Sequence, residues 1–361
     1  MDDMGSDKID ADIRRGRGAV TNRAGRFEEF QRERVDDGWT EEPLPPFRTE
    51  VSIEQPRSVI TKNSSPDLAF DRSLNPYRGC EHGCIYCYAR PTHAWLGYSA
   101  GLDFETRLIA RPDAAVLLEK ELRRKSYQVA PLALGTNTDP YQPIEGQYQI
   151  TRQVLEVLER FQHPVLIITK GALIERDVDI LSRMAAKGLA QVGISVTSLQ
   201  ADLSRRMEPR VPSPARRLRM IRTLSDAGVP VRVMASPVIP GLTDHELEPI
   251  LEAGRDAGAI AATYILLRLP GEVSDLFQDW LEEHYPDRAQ RVMNQMREMR
   301  DGQDYQSGFG ERFVGRGVVA ELLKQRYQKA CRRLGVTKTL PDMRCDLFVP
   351  PLAAGDQLSL F

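Results

Sequence analysis

The sequence predicts an α/β fold on a mostly parallel sheet of about six β/α units. Short runs at 132–135, 165–169 (VLIIT), 192–196 (VGISV), 231–235 (VRVMA) and 263–267 (TYILL) are apolar on successive positions, as strands buried on both faces are. Between them, stripes of helical period such as Val154, Leu155, Leu158 and Phe161 mark amphipathic helices. The alternation repeats every 25 to 35 residues or so, which is the spacing of parallel crossovers.

In chain order, residues 1–55 come first, dense in charge, Gly and Pro, with isolated Phe27, Phe30, Trp39 and Phe47. Such a segment buries too little apolar surface to offset its ordering entropy, so a flexible charged N-terminal arm is expected. The alternative is an extended strap whose aromatics dock on the domain, and its RRGRG stretch also suits phosphate. Residues 56–285 form the β/α series, with weaker strands near Ser73 and at 107–110 and helical stripes at 114–122, 173–185, 218–227 and 247–254. Six units fall two short of a complete eightfold barrel, which leaves a barrel-like or an open doubly wound sheet. Residues 286–361 read as a mainly helical C-terminal extension.

Lys plus Arg number 49 and Asp plus Glu 51, so no global field draws the chain to nucleic acid or acidic lipid. The acidic start MDDMGSDKID lacks the basic and apolar regions of a signal peptide, and no apolar stretch is long enough to span a bilayer. A cytoplasmic protein is expected. Locally, 204–222 carries seven arginines against one glutamate, and Arg216, Arg219 and Arg222 share a helix face suited to phosphate or simply solvated.

Three of the five cysteines, Cys80, Cys84 and Cys87, stand in the run CEHGCIYC with spacing C-x3-C-x2-C. Such spacing lets a loop turn its sulfurs toward one centre, and Gly83 supplies backbone freedom beside the second. A structural zinc would add a fourth ligand, for which His82 and His93 are near in sequence. An iron–sulfur cube on three cysteines instead leaves one iron open to a ligand.

RGCEHGCIYCYA resembles the signature loop of the radical S-adenosylmethionine superfamily, with Tyr86 at the aromatic position before the third cysteine. The resemblance implies a partial (β/α)6 TIM-like barrel, a [4Fe-4S] cluster on Cys80, Cys84 and Cys87, and S-adenosylmethionine on the open iron. It also implies a reducing partner such as flavodoxin or ferredoxin, and a deoxyadenosyl radical that takes hydrogen from a substrate. Within the superfamily the chain is most similar to the spore-photoproduct-lyase-like branch. Three strand-end motifs carry this: LGTNTDPYQPIE with Thr136, Asn137, Thr138 and Asp139, VLIITKG with Lys170, and VGISVTS with Ser195 and Thr197. Strand C-termini present polar groups to a barrel mouth. The resemblance assigns Lys170 to the cofactor carboxylate, Ser195 to its ribose, and Tyr86 and Tyr88 to its adenosyl group. Thr136, Asn137, Asp139 and Thr197 join them as cofactor-binding candidates. Plainer readings are a solvated Lys170, ordinary strand residues at Ser195 and Thr197, and a turn at Asp139–Pro140. At the position where the photoproduct lyases hold a hydrogen-returning cysteine this chain has Thr136; Cys331 or Cys345 could serve only by folding over the site. A nucleic-acid substrate and a non-catalytic zinc module stand as the alternatives. The loop MASPVIPG and Arg268 in LLRLP complete the strand-end features.

Overall fold

A computed structural model describes residues 16–23, 26–27 and 48–352. Its first strands are β1 (Glu50–Ile53), β2 (Thr61–Lys62), β3 (Arg72–Leu74) and β4 (Tyr77–Arg78). After α1 (Leu102–Thr106), β5 (Arg107–Ala110) pairs in parallel with β1 and antiparallel with β4, making a separate three-stranded sheet. The main sheet continues through β6 (Leu132–Leu134), β7 (Val165–Thr169), β8 (Ala190–Ser195), β9 (Val231–Val238) and β10 (Ala261–Leu266). Its order is β10-β9-β8-β7-β6-β3-β2, with every neighbouring pair parallel except β2 with β3. Six parallel strands in sequence order are a partial (β/α)6 TIM-like barrel, and the weak signal at 107–110 belongs to the accessory sheet instead.

The strands form where the sequence is apolar on both faces: all six residues of β8 are buried, as are four of the five of β7. Gly135 ends β6 at φ +89, where an added Cβ would stand 1.9 Å from the Ile168 carbonyl oxygen. Only glycine lets the two strands approach so closely there. The crossover elements are α2 (Ala114–Leu122), α3 (Glu145–Tyr148), α4 (Ile150–Arg160), α5 (Val178–Ala185), α6 (Ala201–Met207), α7 (Pro214–Asp226) and α8 (Leu247–Asp256). Each longer helix turns its stripe inward, as with Ile150, Val154, Leu155, Val157 and Leu158 of α4. Ser213 caps α7 by accepting from the Arg216 amide at 3.3 Å, ahead of Pro214 in the first turn.

The C-terminal extension finishes the barrel. α9 (Val273–His284) and α10 (Pro286–Glu298) pack on each other, and α11 (Gly317–Leu334) packs on α8 and reaches β10 through the Tyr327 hydroxyl, which donates to the Ala262 carbonyl at 2.9 Å. Thr337 then bridges to Ala261, covering the open edge of β10. The tail continues beneath the strand N-termini, where the Arg344 amide donates to Gly188 and the Phe348 ring meets Phe161 and His163. Among the described residues no helix is long and apolar enough to cross a membrane.

Part of the segment expected as a flexible arm is docked. Gly18 and Ala19 are buried, and the amides of Arg17, Gly18 and Ala19 donate to the Glu105 carboxylate at 2.5, 3.0 and 2.9 Å. Three convergent amides meeting a buried carboxylate hold this stretch as a strap, and β1 is a strand in a sheet. Trp39, Phe30 and Phe47 lie outside the described residues; Phe27 packs on Trp95 with centroids 4.8 Å apart.

Candidate active site

The cysteine loop joins β4 to a 3-10 turn over Arg90–Leu96, at the end of the barrel where the parallel strands finish. Its backbone is anchored almost residue by residue. The Cys80 amide donates to Phe104, the Glu81 amide to the Gln142 side chain at 2.9 Å, and the Ile85 amide to Met207. The Gly79 carbonyl accepts from Thr138 at 2.7 Å and Gln142 at 3.2 Å. Arg90, fully buried, donates to the carbonyls of Cys84 at 2.9 Å, Gly83 at 3.1 Å, Ala100 at 2.9 Å and Gly101 at 3.0 Å, and to Glu105 at 2.5 Å. All three cysteines are free, Cys80 and Cys84 buried and Cys87 half-buried. Burial is the main cause that pushes the Cys84 thiol up to about 12, and it raises the Cys80 thiol as well; the neighbouring cysteines add to both shifts, so the three share one electrostatic environment.

The histidines near this loop have other work. His82 Nδ1 faces Asp139 Oδ2 at 3.4 Å, and His93 Nε2 pairs with the Arg107 carbonyl at 2.9 Å, its ring edge-on to Phe104. As the side chains stand, no set of three His, Cys, Asp or Glu among the described residues closes around a single ion. A cluster that binds each cysteine through a different iron does not require them that close.

Strand ends supply the opposite wall. Lys170 follows β7, half-buried, its ammonium 5.7 Å from the Tyr86 ring and in no ion pair among the described residues. Although burial opposes its charge, Cys84, Glu208 and Asp139 keep its pKa raised. Ser195 ends β8 buried, with its carbonyl accepting from Arg217 at 3.0 Å. Tyr88 spans the mouth: its hydroxyl donates to the Thr136 carbonyl after β6, while its ring lies under the Arg268 guanidinium, 5.0 Å away, after β10. Thr136 and the Asn137 amide are held by Asn75.

Two of the expected cofactor ligands also have partners within the chain. Asp139 accepts from the Tyr141 amide at 2.9 Å, Thr169 at 2.5 Å and the Lys170 amide at 2.7 Å besides facing His82 at 3.4 Å. Thr197 is buried in a polar cluster, contacting Tyr86 at 3.1 Å, Glu208 at 2.8 Å and the Ser236 carbonyl at 3.1 Å. Glu208 also accepts from Tyr86, from Ser204 at 3.2 Å and from the fully buried Arg217 at 2.6 Å. The arginine-rich stretch is likewise largely spent internally: Arg216 pairs with Glu175, Arg222 bonds the Asp256 carbonyl and Arg210 pairs with Glu81, while Arg219 is exposed. Neither spare cysteine borders the mouth, since Cys331 lies within α11 and packs against the core, and Cys345 lies in the tail beneath the strands.

Burial alone would raise the pKa of Asp139 and Glu208, yet His82 and its donors for the first, and Arg217 and Lys170 for the second, hold both down at about 2. Folded values below the unfolded ones mean that both carboxylates stabilise the protein fully above roughly pH 5 and lose that contribution as pH falls toward about 2. The melting temperature of the cluster-free protein is expected to drop across that window, and Asp139→Asn or Glu208→Gln to flatten the drop. Identical acid limbs in wild type and both variants would contradict the assignment.

The family model described as the Radical SAM superfamily matches residues 74–254, half of the chain. The chain belongs to the radical SAM superfamily. An uncharacterized protein of Mycobacterium tuberculosis is 38% identical over 226 residues, 62% of this chain and 66% of that relative, so the match spans just under two thirds of the relative's length. An uncharacterized protein of Methanocaldococcus jannaschii is 27% identical over 221 residues, 61% of this chain and 79% of the relative. In structure, spore photoproduct lyase complexed with dinucleoside spore photoproduct superposes with a TM-score of 0.54 over 80% of this chain and 81% of that one, at 18% identity. That likeness concerns the fold. Membership of the radical SAM superfamily implies an iron–sulfur cluster and S-adenosylmethionine, and the loop fits the first: three free thiols on an anchored turn, with both nearby histidines engaged elsewhere.

Arg90, Glu105, Gln142, Glu208 and Arg217 are missing from the sequence-based site. Two signals for them exist in the sequence: Arg90 follows the third cysteine by three residues, and Glu208 is the lone acid among seven arginines.

Proposed function

We propose that the protein is a radical SAM enzyme in which Cys80, Cys84 and Cys87 hold a [4Fe-4S] cluster and residues 56–285 form the catalytic barrel. When bound, the cluster and S-adenosylmethionine supply the one-electron cleavage that yields a deoxyadenosyl radical for hydrogen abstraction. The chain's own groups bind and enclose. Lys170 offers an ammonium that no described residue pairs with, at the wall facing Cys84, which suits the cofactor carboxylate. Ser195 at the end of β8 suits a ribose hydroxyl, and Tyr86 and Tyr88 shield the space between from solvent. Asp139 and Thr197 act behind these groups, fixing the backbone that presents them. The supporting observation is the anchored loop of three free cysteines facing a lysine with no ion-pair partner among the described residues. A low-potential electron donor such as flavodoxin or ferredoxin and a reducing, cytoplasmic setting accompany this chemistry.

Anaerobic reconstitution with iron and sulfide, then reduction by dithionite, tests it. The expected result is 5′-deoxyadenosine from S-adenosylmethionine; a colourless protein that retains zinc and leaves the cofactor intact refutes the reading. Lys170→Met is expected to weaken cofactor binding about 10- to 100-fold, the loss of one charge-assisted contact, while iron content stays near wild type. Equal affinity in the variant would remove Lys170 from the site.

A further inference from the structure

Arg90, Arg217 and Arg300 are the arginines among the largest fully buried side chains. Two have a buried carboxylate partner, Glu105 for Arg90 and Glu208 for Arg217. Arg300 has none. It is 1% exposed, donates once, from Nη2 to the Leu267 carbonyl at 2.5 Å, and leaves Nε and Nη1 without partners. Its neighbour in space is Arg268, two residues past β10, which donates from Nη2 to the Tyr305 hydroxyl at 3.0 Å and leaves Nε unpartnered. Neither arginine forms an ion pair among the described residues. Burial, together with the Arg268 charge, lowers the Arg300 pKa.

A buried guanidinium without a counter-charge is unfavourable, and a second one nearby repels it as well. An arrangement like this is made whole by an anion that no described residue supplies. The walls describe what accompanies that anion. The Arg268 guanidinium carbon stands 5.0 Å from the ring centres of Tyr88 and Phe313 and 5.7 Å from Tyr305. Tyr88 follows Cys87 directly, so the charge lies beside the mouth and on the β10 side, whereas Lys170 follows β7. The loop carrying Tyr305 and Phe313 is fastened on both sides: the Leu266 amide donates to the Phe313 carbonyl at 2.8 Å, and Arg312 grips Asp67, between β2 and β3, at 2.6 and 2.7 Å.

We propose that Arg268 and Arg300 anchor an oxyanion of the substrate, a phosphate or a carboxylate, beside Tyr88 at the end of β10. This rests on the radical SAM reading for what lies next to it and names the substrate class for that site. A guanidinium pair offers planar N–H donors to two oxygens of such a group, and the aromatic walls accept an apolar or planar body attached to it.

The test uses cluster-loaded protein with bound S-adenosylmethionine and 15N-labelled arginine, titrated with inorganic phosphate and separately with malonate, against sodium chloride at matched ionic strength. The Nε–H resonances that vanish in Arg268→Gln and Arg300→Gln are expected to shift saturably with at least one oxyanion and not with chloride; preference for phosphate or malonate decides which group is recognised. Arg268→Gln is expected to weaken that binding tenfold or more, with Arg268→Lys intermediate. Because Arg300 is buried and its variant is at risk of misfolding, the affinities of the two Arg268 variants decide the outcome. No saturable shift with either oxyanion, the same shift with chloride, or displacement of the bound oxyanion by excess S-adenosylmethionine overturns the proposal. Formation of 5′-deoxyadenosine is scored separately, so failure of the radical chemistry and failure of the oxyanion anchor are read independently.

Discussion

Exchanging Glu105 for glutamine is expected to loosen the loop that carries Cys80, Cys84 and Cys87 and to cost the cluster-free protein about 3 to 5 kcal/mol, the usual consequence of leaving one member of a buried ion pair uncompensated. Glu105 is fully buried and receives the Arg90 guanidinium on one side and the amides of Arg17, Gly18 and Ala19 on the other. A carboxamide keeps one acceptor oxygen but turns an N–H2 toward donors, so part of this set must open. Arg90 in turn holds the carbonyls of Gly83 and Cys84. The loss therefore reaches the cysteine loop through a single residue. Gly18→Val tests the same contact from the other side, since a Cβ at Gly18 would stand 1.8 Å from the Gly83 carbonyl oxygen and must push the strap away. If strap, Glu105 and loop act as a unit, the two variants together cost clearly less than the sum of their separate costs. Urea midpoints measure the stability change, and the rate of iron loss to a chelator reads the loop. A Glu105→Gln protein as stable as wild type, with unchanged iron retention, would show that the loop stands without it.

The parts legible in sequence and those hidden differ in the range of the interactions behind them. VLIIT and VGISV announce β7 and β8 because burial on both faces is written into consecutive residues, and α4 and α8 declare themselves by helical period. Val273, Leu276, Phe277, Trp280 and Leu281 show the same period in α9, a stripe as readable as the others. The strap is not readable in this way. Its composition argues for disorder, and what orders it is a carboxylate 86 to 88 residues away in sequence. Similarly, the accessory sheet joins β1 to β5 across more than fifty residues, a pairing that no local pattern encodes. The cysteines are legible because spacing alone reports them. For Asp139 and Thr197 the sequence shows polar residues at strand ends but not their partners within the chain, because a polar residue there faces a ligand or braces the backbone that does, and the local pattern is the same for both.

Glu208→Ala is expected to produce a loss of similar size by a different route, and a second substitution is expected to reverse it. Glu208 gathers Tyr86 of the cysteine loop, Thr197 beyond β8, Ser204 of α6 and Arg217 of α7 onto one carboxylate. Removing it leaves Arg217 charged and unpaired in a fully buried position, at about 3 to 5 kcal/mol, and leaves the Tyr86 hydroxyl with Thr197 as its remaining partner. Placing apolar residues at both positions, Glu208→Leu with Arg217→Met, removes the buried charges together. Most of the stability lost in Glu208→Ala is then expected to return, because a buried ion pair contributes little net energy over well-packed apolar groups of similar volume. Function is expected not to return, since Tyr86 loses the acceptor that orients it and the Ser195 carbonyl loses the Arg217 donor. Denaturant midpoints and S-adenosylmethionine affinity, measured on the same preparations, separate the two effects. Recovery of stability without recovery of affinity means that the Glu208–Arg217 pair serves to orient the wall of the site; joint recovery of both would reduce it to packing, and recovery of neither would mean that the pair supplies net stability of its own.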